Sequence, residues 1–183
     1  LALKPHFSTL LTEALTKETN APNLEYLLNL AYTWVVEDIR HNCDFARQII
    51  GLIIRKVTQN RWTPDVVVPA FKVLGSLSQC YGQIEKGQEQ ANLVVDQLCR
   101  VVLSVGNPPA PGMEEIGALA LQCISQWVMA DQWLCEFKET RHALLTAIVT
   151  ALTGSATPEA DSTPTAPAAA AGSATSSKEK KKD

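Results

Sequence analysis

The chain has 183 residues, 46% of them hydrophobic, and its 16 Lys plus Arg against 19 Asp plus Glu give a formal charge of −3. That length and apolar content suffice for one core without metal or disulfide support. The charges are interspersed, which excludes the clustered basic footprint of a nucleic-acid-binding domain, and no apolar run reaches the roughly 18–20 residues of a membrane span.

The five cysteines, Cys43, Cys80, Cys99, Cys123 and Cys135, are odd in number and lack the close pairs of a zinc or redox motif. In apolar helical contexts they read as buried free thiols of a reducing compartment, so the cytoplasm is the expected location. The chain opens mid-pattern at Leu1, with no Met and no signal-type n-region, and is expected to be a piece of a longer polypeptide.

In chain order, a first helix is predicted from Lys4 to Lys17, stopped by Thr19-Asn20-Ala21-Pro22. A second begins near Asn23, with Leu24, Leu27, Leu28, Ala31, Val35 and Ile39 at helical spacing. A third starts near Asp44, with Phe45, Ile49, Ile50, Ile53 and Val57 in one stripe; its length and period outweigh its β-branched content. Thr63-Pro64-Asp65 reads as an N-cap, a first-turn proline and a first-turn acid, opening a fourth helix that runs to Tyr81 and is kinked at Pro69. A fifth from Gly87 presents Ala91, Val94, Val95, Leu98, Val102 and Val105, and the Pro/Gly run from Gly106 to Gly112 ends it. Glu114 and Glu115 mark the first turn of a sixth, whose core face carries Ile116, Ala120, Cys123, Ile124, Trp127 and Val128. A seventh from Glu136 to Leu152 is expected to turn Phe137, Leu144, Leu145, Ile148 and Leu152 inward.

The helix starts recur at forty-odd residues, the period of HEAT and armadillo units. The expected fold is therefore all-α: a HEAT/armadillo-like solenoid segment of three hairpins and a terminal helix over residues 1–153. The outer faces of its first and last helices should carry apolar residues. Residues 154–183 lack aromatic and large aliphatic side chains and are expected to be a disordered tail or linker. The basic run Lys178-Glu179-Lys180-Lys181-Lys182 at its end reads as a solvating element.

The groups that catalysis needs are sparse. His6, His41 and His142 lie near predicted helix ends without a metal-binding spacing, and read as surface residues. Cys99 and Cys123 sit among Leu, Ile and Val, where a thiol packs and does not ionise. The pairs Glu37-Asp38 and Glu114-Glu115 read as helix-dipole or solvated acids, and neither a phosphate-binding loop nor a dinucleotide fingerprint is present. No catalytic, cofactor or metal residue is assigned. Trp34 and Trp127 read as core. Trp62 and Trp133 flank helix junctions and are candidate anchors for a protein partner, packing between repeats being the commoner role of such residues.

The block Cys123-Ile124-Ser125-Gln126-Trp127-Val128-Met129-Ala130-Asp131-Gln132-Trp133, after Asp44-Phe45-Ala46-Arg47-Gln48-Ile49-Ile50 to Arg61-Trp62, resembles two families. It is similar to the helical repeats of importin-β-type transport receptors, particularly the exportin and transportin branch. It also resembles, over Asp44 to Leu134, the α-solenoid of Ral GTPase-activating complexes and tuberin-like subunits. The second resemblance implies a non-catalytic scaffold segment that helps assemble an activator of Ral- or Rheb-type small GTPases, without a cofactor. The catalytic asparagine of that family lies in a separate domain, and no position here matches it.

Overall fold

The computed structural model describes residues 3–58, 64–84, 86–105 and 112–153. Among these residues the chain forms seven α-helices and no strand: α1 Leu3–Lys17, α2 Ala21–Asp38, α3 Cys43–Thr58, α4 Pro64–Leu77, α5 Gly87–Ser104, α6 Met113–Ala130 and α7 Lys138–Thr153. Two short 3-10 segments, Ser78–Gln83 and Gln132–Glu136, lead into α5 and α7. Thr63 and the residue runs 106–111 and 154–183 lie outside the described residues, and so do the cap, loop and tail expected there.

Side-chain caps set the starts of α2 and α3. Asn20 caps α2, its side-chain oxygen accepting from the Asn23 N–H at 3.2 Å, and Pro22 occupies the first turn. Proline is favoured there because the first N–H groups of a helix have no intrahelical acceptor. Hence α2 begins at Ala21, and the breaker that ends α1 also opens its successor. Asn42 does the same for α3, accepting from the Phe45 N–H at 3.2 Å. The Glu18 carboxylate accepts from the Asn20 and Thr19 N–H groups at 2.8 and 2.9 Å, which holds its pKa below the usual carboxylate value.

The helices pack with their nearest and next-nearest neighbours in sequence. α2 lies against α4 and α4 against α6; α1 lies against α3, α3 against α5 and α5 against α7. Sequential neighbours such as α1 and α2, or α5 and α6, also pack on each other. Even and odd helices thus form two layers, and the core lies between them. Its fully buried large side chains include Leu15, Leu28, Ile49, Ile53, Phe71, Leu74, Leu98 and Trp127. The expected core faces of α2, α3, α5 and α6 are inward as read, with Leu27, Val105 and Val128 half-buried at their margins. In α3 the burial widens to Leu52 and Ile54, since that helix has neighbours on several sides.

Three expectations are corrected. α4 ends at Leu77 and its last residues tighten into the 3-10 segment Ser78–Gln83, so no α-helix reaches Tyr81; Pro69 is inside α4 and buried. Such tightening satisfies terminal carbonyls where the chain turns into the other layer. α7 starts at Lys138, and Glu136 belongs to the preceding 3-10 segment. On α7 only Leu144 of the expected inward leucines is buried, while Leu145, Ile148 and Leu152 are exposed. That helix is apolar on more than one side, so periodicity alone cannot choose which side packs.

Candidate protein-binding surface

Trp127 and Trp133 have opposite surroundings. Trp127 sits on α6, the last helix of the even layer, fully buried, and its indole N–H donates to the Leu74 carbonyl of α4 at 3.1 Å. At the adjoining positions, Gly75 lets the Gln126 side chain press against the α4 backbone. Trp127 is core, as its sequence context indicated.

Trp133 stands at the elbow between α6 and α7. The Asp131 N–H donates to the Trp127 carbonyl, and one Asp131 carboxylate oxygen accepts from the Trp133 N–H at 3.2 Å, which fixes the turn. The Trp133 ring meets Phe137 edge-on with centroids 4.0 Å apart and remains 38% exposed. Met129, 76% exposed, precedes it on the outer face of α6, and Cys135 is exposed beside it. A rigid, half-exposed indole on a held turn is the kind of residue that anchors protein interfaces. Trp62, the second candidate anchor, lies outside the described residues. Trp34 is half-buried, not core; its ring meets Phe7 of α1 at a tilt of 46° with centroids 4.4 Å apart, and its indole N–H has no protein acceptor.

Cys80, Cys99 and Cys123 are buried, Cys43 is partly buried, and Cys135 is exposed, which corrects the expectation that all five are buried. Burial pushes the Cys99 and Cys123 thiols up to about 12, so both stay protonated and unreactive at neutral pH. His6, His41 and His142 are exposed. Of the acid pairs, Glu114 and Glu115 are exposed in the first turn of α6, whereas the buried Asp38 takes the Lys4 ammonium at 2.8 Å and ties α1 to the end of α2. Lys56 reaches the Glu18 carbonyl at 3.4 Å, and its partial burial lowers its pKa. Among the described residues no group of three or more His, Cys, Asp or Glu is placed to hold a metal ion. None of the described helices is long and apolar enough to cross a membrane.

Two shallow clefts open between neighbouring helices of a layer. One of about 320 Å³ lies between α1 and α3 and is lined by hydroxyls, Asn42, Gln48 and Glu13. The other, about 200 Å³, lies between α4 and α6, with Lys72, Gln122 and Gln126 at its rim over Phe71 and Cys123. The exposed stripe Leu145, Ile148 and Leu152 on α7 is the surface feature that sequence reasoning placed in the core.

The chain is 26% identical over 149 residues to a Rap-GAP domain-containing protein of Dictyostelium discoideum, an alignment covering 73% of this chain. It spans 9% of the length of that protein. No known protein family matches the chain, and no solved structure matches it. The resemblance thus points toward a relation with GTPase-activating proteins.

Proposed function

We propose that the chain is a non-catalytic helical scaffold segment of a GTPase-activating protein, and that it works by holding protein partners. The alignment with the Dictyostelium protein carries this reading, because it covers 73% of this chain and that protein is named for a Rap-GAP domain. The two-layer packing of next-nearest helices supports a HEAT-like solenoid. In that architecture each helix pair buries its face on the next, leaving long outer surfaces for partners. The finer assignment is to a subunit of an activator of Ral-type small GTPases in the cytoplasm, with Trp133 as an anchor.

The test has two arms. Added to GTP-loaded Ral or Rap in single-turnover hydrolysis, the isolated chain should leave the rate unchanged; acceleration would refute the non-catalytic assignment. In the longer polypeptide that carries the segment, deleting it should abolish subunit assembly while the isolated GTPase-activating domain keeps its activity. Assembly that survives the deletion would refute the scaffold role.

A further inference from the structure

We draw no further inference here: the strongest candidate, the shallow cleft between α4 and α6 with Lys72, Gln122 and Gln126 at its rim, carries nothing because nothing in the structure shows what covers its floor of Phe71 and Cys123.

Discussion

The α4–α6 pair of the even layer and the terminal helix α7 solve the same packing problem to different extents. α4 and α6 are closed in by neighbours on several sides: Trp127 is fully buried, bonded across to α4, and pressed beside the close approach at Gly75. α7 packs inward through small residues and a single buried leucine, Leu144, and presents comparable apolar bulk to solvent. An apolar residue in a helix stack is therefore a core residue only where a neighbouring helix exists to cover it. The contrast also separates the two tryptophans of the Trp127 to Trp133 block, of which the first ties α6 to α4 within the even layer and the second is partly exposed at an elbow.

The largest test of this contrast is Trp127→Ala, which removes the biggest fully buried side chain among the described residues and the indole donor to the Leu74 carbonyl. It should cost about 3–5 kcal/mol in chemical denaturation. Trp133→Ala should cost about 1 kcal/mol or less, its contact with Phe137 being lost at a partly solvated site. If Trp133 anchors a partner, that variant loses binding while its unfolding midpoint barely moves. Equal destabilisation by the two changes would erase the distinction between layer and elbow.

A sharper version compares adjacent residues of α7. Leu144 is 7% exposed and Leu145 57% exposed. Leu144→Ala should cost about 2–4 kcal/mol, and Leu145→Ala should stay within about 0.5 kcal/mol. Comparable losses at both positions would mean that something covers the outer stripe of the folded chain.

These two residues also show how far the sequence could be read. The helices, their breaks and the inward faces of α2, α3, α5 and α6 were legible because each has one dominant apolar stripe with polar residues opposite. α7 is apolar on two sides, and only the position of α5 decides that Leu144 turns in and Leu145 out. The 3-10 ending of α4 was illegible for a related reason, since the tightening answers to the passage between layers and not to any residue between Ser78 and Gln83. Of the candidate anchors, the elbow at Trp133 could be located from its Asp131 turn, but its exposure depends on how α7 departs. Exposure of Cys135 was missed because its flanking residues look as apolar as those around Cys99.

The buried thiols extend the contrast to pH. Cys99 and Cys123 have folded pKa values raised from 9.0 to about 12, chiefly by burial. A raised folded pKa means the native state binds the proton more tightly, so this stabilisation is fully present below pH 9 and is lost as pH rises through the window toward 12. Denaturation midpoints should hold steady from pH 7 to about 8.5 and then fall. Each thiol contributes a loss on the order of 1 kcal/mol by about pH 10. Substituting Cys99 and Cys123 by Ala should flatten the decline, and substituting the exposed Cys135 should leave it unchanged. Alkylation of the native protein at neutral pH should mark Cys135 first and spare Cys99 and Cys123 until unfolding.

The smallest effect comes from two glycines at helical positions. At Gly75 a Cβ would fall 1.8 Å from the Gln126 side-chain oxygen, so Gly75→Ala forces that flexible amide to move and offsets part of the gain in helix propensity. At Gly51, in the middle of α3, a Cβ would meet nothing within 4 Å. Gly51→Ala should therefore stabilise the protein by up to about 1 kcal/mol, by restricting the unfolded chain at no steric cost. A larger gain at Gly75 than at Gly51 would show that the close approach of α4 and α6 yields readily. The centre of the molecule would then be less tightly packed than its contrast with α7 requires.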